Sequence, residues 1–191
     1  MVVRVQSVVE AQQVWTFDDL LALPEDADRR RYEVVDGSLV VSPSATPRHE
    51  LASEEVRAAI RASLPIGFKV VGPLAVDLHP SYRVPDLLVV PLAIFGENSP
   101  LARPADVLLV VEVVSPGSET TDRVTKPAQY AAAGIGAFWR VETDPVSLTA
   151  YTLPAGAGTY TELGSWAAGQ IARIESPFPV EIALDSLTPP R

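Results

Sequence analysis

The stretch RVPDLLVV (83–90) and its later counterpart DVLLVVEVVSPG (106–117) decide the fold. Each is rich in leucine and β-branched residues, as in a strand buried on both faces. Each also carries one carboxylate, Asp86 or Glu112, where an apolar side chain would pack better. An isolated ionised carboxylate is costly in an apolar interior, so such a residue is usually paired, neutralised or bound to a metal. Asp86 opens its run, Glu112 lies near the end of the other, and about 16 residues connect the two runs. Antiparallel pairing would therefore bring the two acids together. Two carboxylates within ~4–6 Å repel unless a divalent cation sits between them. An oxygen-lined site with open positions suits magnesium. The competing reading is a solvent-facing strand edge, or a structural ion pair with Arg83 or Arg140.

Outward from this pair, the chain reads as alternating short elements. Upstream, TFDDLLALP (16–24) is a short helix capped by Thr16, with Asp18 and Asp19 in its first turn and Pro24 as its stop. RRRYEVVDGSLVVSP (29–43) is a hairpin around Asp36-Gly37, with Glu33 on its first arm. TPRHELASEEVRAAIRASL (46–64) predicts a helix with a Thr46 cap, Pro47 at its first position and apolar residues at 52, 56, 59, 60 and 64. FKVVG and LAVDLH follow as strands, with His79 in DLHPSYR (77–83) as a loop residue before the PDLLVV strand. Downstream come a helix near 125–133 ending at Gly134, strands AFWRVET and SLTAYTL, and a tail of short strands and turns. The expected class is α/β: a single-domain mixed sheet flanked by helices.

The 191 residues fit one domain, expected over 16–191, with residues 1–15 as a loosely held arm. Cysteine is absent, which removes disulfides, thiol nucleophiles and cysteine-ligated zinc, and leaves His49 and His79 as the imidazoles. A metal would have to be a hard one held by oxygen. The N-terminal run is broken by Arg4, Gln6 and Glu10, so it lacks a signal-peptide core, and no stretch approaches the ~20 apolar residues of a membrane span. A cytoplasmic protein without a membrane partner is expected. The net charge of -9 argues against a broad non-specific nucleic-acid coat. Acids gathered around bound cations weaken that argument, because the cations cancel local charge.

Five segments carry a specific likeness in order and spacing: YEVVDG (32–37), PDLLVV (85–90), VEVVSPGSETTDRVTKPAQYAAAGI (111–135), FWRVETD (138–144) and the late LDSL. Together they resemble the Uma-two family of restriction-endonuclease-like proteins, a branch of the PD-(D/E)XK nuclease superfamily. The resemblance implies a restriction-endonuclease-like fold and magnesium or manganese held by Asp86, Glu112 and the backbone carbonyl of Val113. It implies Glu33 as a further catalytic acid. The superfamily lysine two residues after the glutamate is here Val114, and the family's shift of that lysine into the next helix points to Lys126. Pro127 follows directly, which puts Lys126 at a helix entrance with Thr125 as cap.

The remaining candidates surround this centre. His49, in the first turn of its helix, shares a face with Val56; it is either a packed, hydrogen-bonded histidine or, as the resemblance favours, a substrate-side residue. Tyr130, one helical turn after Lys126, is a substrate contact or packing. Arg48, with Arg57, Arg61, Lys69 and Arg83, is a phosphate-facing patch or an ordinary solvated surface. Glu33 beside Arg29, Arg30 and Arg31 is a catalytic acid or a member of a surface charge cluster. The expected activity is metal-dependent hydrolysis of DNA phosphodiesters, with a homodimer expected by analogy with enzymes that cut both strands. The rival expectations are a catalytically silent DNA-binding or protein-interaction module on the same fold, and a phosphoesterase of small nucleotides.

Overall fold

Asp36 and Gly37 both adopt positive φ, 48° and 76°. A tight antiparallel hairpin needs this mirror-image turn, and Asp-Gly tolerates it. The pair joins β1 (Arg31–Val35) to β2 (Ser38–Ser42), as expected. The computed structural model describes residues 14–24, 30–97, 99–115 and 117–189, so the expected arm lies almost wholly outside the described residues. Ahead of the hairpin, α1 (Phe17–Leu21) is closed by a reciprocal box: Thr16 accepts from the Asp19 N–H and Asp19 accepts from the Thr16 N–H. After it, α2 (Pro47–Ser63) starts at the Thr46 cap with Pro47 in its first turn.

The strands that follow are β3 (Phe68–Val71), β4 (Ala75–Leu78), β5 (Ser81–Arg83), β6 (Leu87–Pro91), β7 (Leu101–Ala102) and β8 (Leu109–Val113). Beyond a helical segment containing α3 (Lys126–Ala132) come β9 (Ala137–Thr143), β10 (Val146–Thr152), β11 (Thr161–Ala167), β12 (Ile171–Ile174) and β13 (Val180–Ala183). They form a six-stranded sheet in the order β11-β10-β9-β8-β6-β3, a five-stranded sheet in the order β2-β1-β5-β4-β7, and the hairpin of β12 with β13. The large sheet is mixed: β8 and β9 are parallel, with α3 in the crossover, and its other pairs are antiparallel.

Both faces of the large sheet are covered. On one, Ala52, Val56 and Ile60 of α2 pack with Leu87, Val89, Leu109, Val111 and Trp139, and the C-terminal hairpin closes the same cluster through Ala172, Ile174 and Val180. On the other, Tyr130 of α3 packs with Leu88, Val90, Val110 and Phe138, joined by Val76 from the smaller sheet. Fully burying a Val or Leu side chain contributes about 1.5–3 kcal/mol, so β6 and β8 form the stable centre that positions what they carry. Among the described residues no helix is long and apolar enough to cross a membrane.

His79 lies in a turn, as expected, and Ser81–Arg83 after it is a strand that pairs with both β1 and β4. One expectation is corrected. The helix does not begin at Thr125: helical backbone starts at Glu119 and passes through a π-turn at Thr121–Thr125. Thr125 is itself helical, at φ -71°, and its side chain caps nothing. Proline lacks an N–H and its ring crowds the carbonyl one turn back in an α-helix. The wider π-turn, in which the Lys126 N–H bonds the Thr121 carbonyl, accommodates Pro127 without breaking the segment.

Candidate metal and acid centre

The antiparallel register of β6 and β8 pairs Leu87 with Val111 and Leu88 with Val110. Continued by one position, it sets Asp86 against Glu112 on the face that α3 covers. Both are buried, at 4% and 1% exposure. Each carboxylate has its own set of partners.

Glu112 is held by α3. Lys126 Nζ donates to Oε2 at 2.9 Å and the Tyr130 hydroxyl donates to Oε1 at 2.6 Å. The two donors lie four residues apart, one turn of helix, and so share a face. Lys126 also pairs with Asp122 Oδ1 at 2.9 Å. Burial pushes the Glu112 carboxyl up; Lys126 opposes this, and Asp86, Asp122 and Glu33 reinforce it, leaving the pKa above the ordinary carboxylate range. Burial alone would lower Lys126, but Glu112, Glu33 and Asp122 outweigh it and keep the ammonium charged. Burial, with the Glu112 charge and hydrogen bond, raises Tyr130 well above its usual value, so it remains a neutral donor.

Asp86 is held by α2, β1 and the neighbouring strand. Its Oδ2 accepts from the Val113 N–H at 2.7 Å and lies 3.2 Å from His49 Nε2. Its Oδ1 lies 2.8 Å from Arg31 Nη1, yet is buried without a well-formed hydrogen bond. Burial would raise this carboxyl; the His49 hydrogen bond, the Arg31 and His49 charges and the Val113 N–H outweigh it and hold it well below the usual range. His49 is raised in turn, since its bond to Asp86 and the Asp86 charge overcome burial. Its Nδ1 is buried without a partner. Gly72 stands against the Asp86 backbone, and a Cβ built there would overlap the Asp86 carbonyl oxygen. A side chain at 72 would push Asp86 out of line with Glu112.

Glu33 is buried at 2% exposure rather than part of a surface cluster. Arg83 Nη1 donates to its Oε2 at 3.0 Å and the Val84 N–H to its Oε1 at 2.8 Å, while Arg83 Nε reaches Gln129 of α3 at 2.8 Å. Its charge is felt at Lys126 and Glu112, but both its oxygens are engaged elsewhere. Arg48 is not brought to the centre; it is exposed and pairs with Asp144 at 3.1 Å. Arg83 is a core residue and Arg57 bonds the Gly72 carbonyl, so these two do not join Arg48 in an exposed basic patch. Sequence reasoning missed Arg31, Asp122 and Gln129. Period-two alternation puts Arg31 beside Glu33 on one strand face, and i,i+4 spacing links Asp122 to Lys126; both signals were present.

A divalent cation finds donors of the right kind here. Asp86 and Glu112 oppose each other, all candidate donors are oxygen, and Asp86 Oδ1 is buried without a good hydrogen bond. That chemistry fits a hard cation completed by water. Among the described residues no group of three His, Cys, Asp or Glu side chains could hold a metal.

The profile of the Uma2 family, described as "Putative restriction endonuclease", matches residues 17–187. The chain belongs to the Uma2 family. A crystal structure from Anabaena variabilis, titled as a "putative nuclease belonging to DUF820", superimposes with a TM-score of 0.68 at 16% identity, covering 91% of this chain and 97% of that one. At that identity the likeness establishes the fold. Among curated proteins none matches the chain. The family assignment makes the chain nuclease-like, and the five segments that resembled Uma2 lie within the matched span.

Proposed function

We propose that this Uma2 chain is a metal-dependent endonuclease that hydrolyses DNA phosphodiesters at the Asp86–Glu112 centre. The supporting observation is the register that sets the two buried carboxylates opposite each other, with the Lys126 ammonium 2.9 Å from Glu112. Asp86, Glu112 and the Val113 carbonyl would hold magnesium or manganese. Such a cation, when bound, supplies the Lewis acidity that activates a phosphodiester toward water. His49 and Arg31 orient Asp86 and keep it ionised. Lys126, fixed between Glu112 and Asp122, offsets the negative charge that grows on the phosphoryl oxygens during attack. Tyr130 fixes the second Glu112 oxygen, and Glu33 braces β5 against α3 through Arg83 and Gln129.

A second reading has its own support. Arg31, His49, Lys126 and Tyr130 already engage the two carboxylates, so the centre is largely neutralised from within the chain. A DNA-binding module without catalysis would keep that arrangement permanently. Incubating the protein with single- and double-stranded DNA separates the two. The nuclease reading expects products only with magnesium or manganese, declining as salt rises because phosphate contacts release counterions. Intact DNA alongside retained binding would favour the silent module.

A further inference from the structure

Beyond α3, on the same sheet face as Glu112, lies a cavity of about 220 Å³. Its floor is aromatic. Phe138 lies 5.7 Å, centroid to centroid, from both Tyr151 and Tyr160, with interplanar angles of 26° and 27°. Its rim holds two cations, Arg123 and Arg140. The Arg140 guanidinium sits 5.7 Å from the Tyr151 ring centroid. Arg123 donates twice to Glu142, at 2.9 and 3.0 Å. Arg140 Nε stands 3.3 Å from the same carboxylate and is buried without a hydrogen bond. Glu142 thus faces both guanidiniums, and Glu119 and Asp122 add to the negative charge that Arg123 feels. The Tyr160 hydroxyl is tied to the Ile135 carbonyl at 2.8 Å, so that residue offers its ring rather than its polar end.

The cavity adjoins the acid centre. Glu112 and Arg140 are paired positions on the neighbouring strands β8 and β9, and adjacent strands lie ~4.8 Å apart. The helix α3 separates the two sites: Lys126 and Tyr130 face Glu112, while Pro127, Ala128 and Ala131 line the cavity. A nucleotide strand with one phosphate at the centre would carry a neighbouring base past the aromatic floor.

We propose that this cavity is a nucleobase subsite, which takes one unstacked base of the substrate strand onto the Tyr151 and Tyr160 rings and offers Arg140 to a carbonyl oxygen on the base edge. The inference rests on the nuclease reading and names what that site holds beside the scissile phosphate. The cavity is smaller than the ~300–1,000 Å³ of drug-sized pockets, which favours a single planar heterocycle. Every base has a face for an aromatic ring, and arginine is a donor only, so the ligand must present acceptors, as thymine and guanine do. A base paired within a duplex cannot reach a sheet floor, so the strand is single or locally unpaired.

The test is equilibrium binding of the full chain, in EDTA so that no cutting occurs, to labelled oligothymidylate and to an abasic oligomer with the same number of phosphates. The wild type should prefer oligothymidylate by roughly 5- to 150-fold, the range for one stacked base. Tyr151→Phe should keep the preference, and Tyr151→Leu should reduce it to the abasic level. Arg140→Gln should weaken oligothymidylate more than the abasic oligomer, and it carries the test if Tyr151→Leu does not fold. Equal wild-type affinity for the two oligomers, failure to bind either, or folded variants that bind like wild type would overturn the subsite. The nuclease reading fails separately: base preference without metal-dependent cleavage removes the nuclease and leaves the subsite, and cleavage without base preference does the reverse.

Discussion

Asp86 and Glu112 oppose each other across one strand pair, yet their surroundings drive them in opposite directions. Asp86 faces a histidine, an arginine and a peptide N–H, which together hold it ionised. Glu112 is the more buried, faces one lysine and one neutral tyrosine, and feels three other acids, which leave it inclined to keep a proton. Two titratable groups pushed apart by environment carry different roles. Asp86 is the fixed anion of the centre, and Glu112 is the acid whose charge depends on what stands beside it. The difference follows from which elements reach each residue: α2 and β1 for Asp86, α3 for Glu112.

The largest expected effect breaks the Glu112 side. Lys126→Ala removes a preorganised charge without removing a metal-holding oxygen, so cleavage should fall by about 10²- to 10³-fold while metal affinity is nearly unchanged. Single-turnover rates read beside metal titration check this. A wild-type rate in Lys126→Ala would show that the lysine only packs against Glu112.

Next is a change on the Asp86 side that touches no functional group. Gly72→Ala places a methyl against the Asp86 carbonyl oxygen. Overpacking of this kind typically costs about 1–3 kcal/mol, and here it should lower both the denaturant midpoint and metal affinity. A fully stable variant with intact metal binding would mean that Asp86 does not depend on this close approach.

The smallest effect sharpens the comparison through pH in the metal-free protein. Asp86 is held below its usual range, so its contribution to stability is complete above the unfolded value of about 3.9 and is lost as pH falls through the lower folded value. Glu112 is raised, so the native protein keeps a proton that the unfolded chain has released. Its effect is a loss of stability as pH rises from about 4.3 toward the folded value. Denaturant melts against pH should therefore show Asp86→Asn flattening the acid limb and Glu112→Gln flattening the limb above it. Identical profiles for the two variants would erase the distinction.

Much of this was legible in the residues. The strands β6 and β8 are buried on both faces, so any polar residue in them stands out, and with Asp86 at the start of one run and Glu112 near the end of the other, antiparallel pairing brings the acids together. The caps at Thr16 and Thr46 and the Asp36-Gly37 turn act locally and read directly. The partners of the acids do not. Arg31 looked like one of three surface arginines because nothing local shows that β1 pairs with β5. The burial of Arg83 does not read locally either, because its short strand lies in DLHPSYR, a segment with turn chemistry at its centre. Pro127 normally marks a helix entrance and so points to one at Lys126, whereas the π-turn that relieves the proline is a property of the packed segment.

The central claim is that Asp86 and Glu112 together form a cation site. Calorimetric titration of manganese into the wild type and into Asp86→Asn and Glu112→Gln tests it most directly. We expect the wild type to bind at one site and both variants to lose that binding while remaining folded. Equal binding by all three proteins, or none by the wild type, would contradict it.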